Sequence, residues 1–168
     1  MNTPKSPQES VVVSRRLVMP DQLNPNGTLF GGVLMAWIDS TGFMCAERHA
    51  ETPRVVTASV DRLEFLRPLR SGDHTVLSAR VEWVGRTSMA LEVKVEREGH
   101  RLGDRAPVAT AHLTFVALDA DGRPTVISPL LLETHEDRQR FDAASVRAKV
   151  YQRFRRWRER RELPALAI

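Results

Sequence analysis

The sequence predicts an α+β domain: an antiparallel β-sheet wrapped around one long central helix, with a basic amphipathic helix appended at the C-terminal end. Three observations carry this expectation. Residues 33–46 (VLMAWIDSTGFMCA) hold ten apolar side chains out of fourteen with no polar stripe at helical spacing, the pattern of a helix covered on all sides. Residues 75–83 and 89–95 alternate apolar and polar side chains, and the β-rich segments 55–66 and 107–118 flank them. From about Thr134 the period turns helical again, with Val146, Val150, Phe154 and Trp157 at spacings of four, four and three.

Taken in order, residues 1–10 are polar with two prolines and read as a flexible tail. Val11 to Met19 reads as a strand. Residues 20–29 (PDQLNPNGTL) concentrate Pro, Asn, Asp and Gly and read as a loop with defined turn chemistry. Gly31 and Gly32 open the apolar helix, and Glu47, Arg48 and His49 close it. Turn residues at Pro68 to Asp73, Gly85, 98–104 and Asp121-Gly122 then separate four strands, expected to form a meander. The boundaries are therefore 1–10 for the tail, 11–130 for the main domain and 131–168 for the C-terminal helix.

At 168 residues the chain fits one domain, and 42% apolar with 27% charged residues excludes disorder over most of its length. No run of 18 apolar residues and no signal-like N-terminus is present, so membrane association through a span is not expected. A lone cysteine, Cys45, forms no internal disulfide, and a cytoplasmic location is expected. The net charge of +4 conceals an asymmetry: residues 138–161 carry ten basic and two acidic side chains, and the remainder is net acidic. The basic balance thus belongs to one segment, and no nucleic-acid partner is expected. His49, His74, His100, His112 and His135 show no ligand spacing and are read as surface or strand positions. No metal is expected.

Two features could carry chemistry. Asp39 lies in the middle of the apolar helix, where an ionised carboxylate is costly unless it is paired, hydrogen-bonded or at a cavity; burial would raise its pKa and suit a general base. The competing reading is an Asp satisfied by Ser40, Thr41 or a neighbouring strand. The second feature is Gly31-Gly32, where free N–H groups at a helix start would favour a developing oxyanion, against a bland reading as a tight entry to the helix. Gly32 and Asp39 lie seven residues apart, on one helix face and separated by about 10 Å.

The string NPNGTLFGGVLMAWID, followed by VVTASVDRLEF, RPLRSGD, GRTSM and FVALDADGRP, resembles the hotdog-fold acyl-CoA thioesterases of the cytosolic acyl-CoA hydrolase type over roughly residues 11–128. The resemblance implies a hotdog fold that pairs with a second copy, as a dimer or a trimer of dimers. It implies active sites at the dimer interface, with Asn24 from one protomer and Asp39 from the other. It implies hydrolysis of acyl-CoA, with Asp39 as base or nucleophile and the Gly32 amide, with Gly31 beside it, as the oxyanion site. No cofactor is implied, since coenzyme A is part of the substrate. Arg86, Thr87 and Ser88 resemble a stretch that contacts coenzyme A in that family, the alternative being an ordinary exposed turn. Thr57 and Ser59 either face the site or fill a strand. The alternatives are a non-catalytic acyl-CoA sensor and an interaction module that uses the basic helix.

Overall fold

Gly31–Ala50 form the long helix α1. The computed structural model, which describes residues 3–99, 101 and 104–159 with side chains through residue 150, sets α1 against one face of a five-stranded antiparallel sheet. The strands are β1 (Val12–Leu17), β2 (Val55–Phe65), β3 (His74–Val84), β4 (Ser88–Glu98) and β5 (Arg105–Ala117), and a second helix, α2 (His135–Glu159), follows them. This is the class and element order that the sequence led us to expect.

The expected four-strand meander is corrected. The spatial order is β1, β3, β4, β5, β2, so only β3, β4 and β5 are consecutive neighbours, and β2 pairs with β5 at the far edge. Residues 66–73 carry the chain across the end of the sheet. The Leu66 N–H bonds the Val108 carbonyl at one side, and the Val18 N–H bonds the Asp73 carbonyl at the other. Alternation reports which side of a strand is buried and says nothing about which strand lies beside it.

The inner face of the sheet supplies Leu77, Ala79, Val81, Leu91, Val93, Leu113 and Phe115, all essentially inaccessible. From α1 come Leu34, Ile38, Gly42, Cys45, Ala46 and His49, spaced three or four apart along one stripe. Gly42 allows the close approach: a Cβ there would lie 3.2 Å from the Phe115 ring. The opposite side of α1 is open, with Met35 at 46% exposure. One sheet face covers one stripe of a helix, so the expectation of a helix covered on every side is corrected for the single copy.

The segment read as a flexible tail is docked from Lys5 onward. Lys5 pairs backbone groups with Pro129 and Leu131, and its ammonium donates to the carbonyl of His49 and pairs with Glu51. Glu51 stands in the left-handed region at φ 53, ending α1 four residues later than the apolar run suggested. His49 is buried: its Nε2 donates to the Ser128 carbonyl, which leaves Nδ1 to accept from the Ser10 hydroxyl at 2.8 Å. A histidine inside the core differs from the surface or strand position expected of it.

α2 lies against the outer, polar face of the sheet through Asp137, Ala144 and Ala148, which are buried. Arg80 of β3 pairs with Asp137, Arg140 reaches Glu92 of β4 at 2.8 Å, and Arg147 pairs with the buried Glu82 of β3. Val146 and Val150, two members of the apolar period, are more than 60% exposed in the single copy and do not pack on its own sheet. The opposing carboxylates select the arginine face of the helix. The side chains of Phe154 and Trp157 lie outside the described residues.

Candidate active site

The loop before α1 is built by Asn24. Its Oδ1 accepts from the N–H groups of Asn26 and Thr28 (2.9 and 3.2 Å), and its Nδ2 donates to the Thr28 hydroxyl. An Asx turn of this kind explains the Asn-Pro-Asn-Gly string, with Gly27 taking φ +73. Phe30 precedes the helix. A Cβ on Gly32 would stand 2.5 Å from the ring of Phe30, an exposed side chain that would have to turn aside for any larger residue. The first N–H groups of a helix have no intrahelical acceptor. Among the described residues those of Gly31 and Gly32 find no acceptor elsewhere.

Two turns along, Asp39 is half-buried, a correction to the picture of a carboxylate sunk in apolar surroundings. Ser40 and Thr41 do not satisfy it, since both hydroxyls donate to the Trp37 carbonyl. The neighbouring strand does so once, through the Thr57 hydroxyl, which donates to Asp39 Oδ1 at 2.7 Å. Its second oxygen accepts no hydrogen bond among the described residues. The carboxyl borders a cavity of about 280 Å³ whose other walls are apolar, including Met35, Ile38, Val60 and Leu63.

Two register shifts aim β2 at this site. In unbroken alternation Thr57, Ser59, Asp61 and Leu63 would share one face. Shifts between Thr57 and Ser59 and between Val60 and Arg62 instead leave Thr57, Val60, Leu63 and Phe65 opposite Phe115, Leu113, Ala111 and Ala109, whose side chains face α1. Asp61 is turned to the outer face, where Thr114 donates to it. The sequence left Thr57 open between site and filler. Its hydroxyl meets Asp39, and the bulges put Val60 on this face in place of Ser59 and Asp61, which nothing in the alternation marks.

Further along the groove between α1 and β2 a second cavity of about 330 Å³ is bordered by Thr28, Leu29, Gly31, Leu34, Phe65 and Leu69. Among the described residues Asn24 and Asp39 share no hydrogen bond, and Asn24 borders neither of these two cavities. Arg86, Thr87 and Ser88 form the turn between β3 and β4, closed by the Gly85 N–H on the Ser88 carbonyl. Met89, Phe115 and Thr57 form one row across β4, β5 and β2, which puts this turn at the Thr57 end of the sheet, about two strand spacings or 10 Å across. Arg86 is exposed and has no ion pair among the described residues. Cys45 is buried, and its thiol is pushed up to about 12, chiefly by that burial, so it is inert packing. Among the described residues no group of three or more His, Cys, Asp or Glu could hold a metal ion.

A family model for the thioesterase superfamily matches residues 26–103. An uncharacterized acyl-CoA thioester hydrolase of Bacillus subtilis is 41% identical over 150 residues, covering 88% of this chain and 87% of the relative. The chain belongs to the thioesterase superfamily. Its fold is the hotdog fold. An acyl-CoA hydrolase of Staphylococcus aureus, solved in complex with butyryl coenzyme A and coenzyme A, superposes with a TM-score of 0.85 at 33% identity, covering 93% of this chain and 94% of that one. Other structures of that hydrolase carry alanine in place of an aspartate, an asparagine or a threonine. An apo-hexameric acyl-CoA thioesterase superposes with a TM-score of 0.83 at 31% identity, covering 96% and 99%. Among the described residues no helix of this superfamily member is long and apolar enough to cross a membrane.

Proposed function

We propose that this thioesterase-superfamily chain hydrolyses acyl-CoA thioesters to a free carboxylic acid and coenzyme A. The observation that carries the reading is Asp39: a half-buried carboxylate at the polar end of an apolar cavity, with one oxygen oriented by Thr57 and the other uncommitted. In the Staphylococcus aureus hydrolase the substituted asparagine and aspartate stand fifteen residues apart, the separation of Asn24 and Asp39 here.

In the proposed step Asp39 takes a proton from water as the oxygen attacks the thioester carbonyl. A C–O bond forms, the tetrahedral oxyanion is held by the Gly32 amide with Gly31 beside it, and the C–S bond breaks. The proton passes to the leaving sulfur, which departs as the coenzyme A thiol. The covalent variant, in which Asp39 attacks and water then opens the anhydride, uses the same groups. Asn24 already spends Oδ1 and one Nδ2 donor on its own loop, so it has one amide hydrogen left to orient a water or carbonyl. Arg86 stands free to meet the phosphates of coenzyme A.

Asn24 makes no contact with Asp39 among the described hydrogen bonds and does not border its cavity, and the complete site is proposed to form between two copies. The open apolar side of α1 and β2, with Met35, Val60 and Phe65 exposed, suits that pairing, and hexameric relatives are consistent with it. The enzyme is proposed to be cytoplasmic. The test is hydrolysis of acetyl- through palmitoyl-CoA, read as released thiol. Asp39→Ala should lower turnover by about 10²–10⁴ with folding intact, and Asn24→Ala by less. An equal mixture of the two inactive variants, after proven subunit exchange, should recover activity, because some mixed dimers hold one intact site. Full turnover by Asp39→Ala overturns the reading, and a native acyl-CoA complex without turnover would make the chain a sensor.

A further inference from the structure

The groove between α1 and β2 has a direction. At one end are Asp39 and the Thr57 hydroxyl. The next positions inward, Val60 and Leu63 from β2 with Met35 and Ile38 from α1, are apolar and line the half-open cavity of about 280 Å³ that Asp39 borders. One helical turn further, Leu34 and Gly31 face Phe65, whose ring tip would stand 3.7 Å from a Cβ on Gly31, at the second cavity. The polarity thus changes once along the groove, from carboxylate and hydroxyl to hydrocarbon. A thioester has the same profile, with its reactive carbonyl at one end and its alkyl chain running away from it.

Resting on the functional reading above, we propose that this groove is the acyl channel and that Val60 and Leu63 set the chain length it accepts, a saturated acyl group of medium length. The two β2 bulges are what bring Val60 to the groove between Thr57 and Leu63, since regular alternation would present Ser59 and Asp61 there instead. A carboxylate at position 61 in the channel would repel an alkyl chain, whereas on the outer face it accepts from Thr114 and Ser59. The size follows from volume. An apolar cavity of about 150 Å³ holds one benzene, so about 280 Å³ holds roughly ten carbons. Longer chains must pass Leu63 and Leu34 into the cavity beneath Phe65. Val60 is 49% exposed in the single copy, and a larger side chain there has room to enter the groove without displacing the core.

The experiment measures kcat/KM for butyryl-, decanoyl- and palmitoyl-CoA on the full-length enzyme and on Val60→Phe and Leu63→Ala. The readout is the ratio between chain lengths within one preparation, which does not depend on the fraction of active or assembled protein. Val60→Phe fills the channel next to Asp39, and the decanoyl-to-butyryl ratio should fall by roughly tenfold or more. Leu63→Ala opens the passage, and the palmitoyl-to-decanoyl ratio should rise several-fold. Ratios unchanged in both variants, with the native enzyme active, overturn the channel and leave the thioesterase reading standing. A native enzyme that turns over none of the three removes the reading itself.

Discussion

The contact between Thr57 and Asp39 can be weighed by one substitution. Thr57→Val keeps the shape and strand preference of the side chain and deletes the hydroxyl that donates to Asp39 Oδ1 at 2.7 Å. A hydrogen bond to a charged acceptor contributes about 1.5–3 kcal/mol. Thr57 is exposed and Asp39 half-buried in the protomer, so water competes and the lower end applies. About 1.5 kcal/mol corresponds to a roughly tenfold loss of rate. Because Thr57 holds the base and not the coenzyme, the loss should fall on kcat with KM nearly unchanged, and Thr57→Ser, which keeps the donor, should restore most of it. The assay is thiol release at saturating acyl-CoA. Cys45 does not add to the signal, being buried with its thiol pushed up to about 12. Native kcat in Thr57→Val, or equal impairment in Val and Ser variants, would refute the positioning role.

Two further expectations concern the scaffold. Burial lowers the pKa of His49 below the ordinary 6.5, against the opposing pull of the Ser128 carbonyl, and Lys5 lowers it further. The folded state therefore binds its proton less readily than the unfolded chain. The stability this contributes is complete above pH 6.5 and is lost as pH falls from there toward the folded value. Thermal midpoints measured from pH 8 down to about pH 5 should decline below that point in the native protein and less so in His49→Gln; parallel curves would contradict it. On the outer face, Glu82→Gln removes the buried carboxylate that Arg147 and Arg140 share. Both arginines are partly exposed and can turn to solvent, so the cost is set below that of a fully buried pair, at about 1–3 kcal/mol. Hydrogen exchange should accelerate across α2 while hydrolysis is retained, since the groove lies on the other face; unchanged exchange would show that the Glu82 pairs do not hold α2.

Much of the site was legible because its elements are local. The Asn-Pro-Asn-Gly loop, the Gly31-Gly32 helix start and Asp39 in an apolar run follow from turn chemistry and helical period within sixteen residues, 24–39. The groove was not. Val60 replaces Ser59 and Asp61 beside Thr57 only because two bulges re-aim β2, and bulges shift pairing between strands without changing composition. The face that α2 turns to its own sheet was not legible either: the outer sheet face offers Glu82 and Glu92, which take the arginine side of the helix and leave Val146 and Val150 exposed in the single copy.

Sequence alone determined the class, the long helix and its carboxylate, the strand alternation and the basic C-terminal segment, because periodicity and propensity act between residues a few positions apart. Tertiary structure decided that β2 lies beside β5, that residues 5–10 are bound, that His49 is a core residue and that α1 keeps one side open. Each of these is set by a partner surface distant in the chain, and burial is a property of both surfaces together.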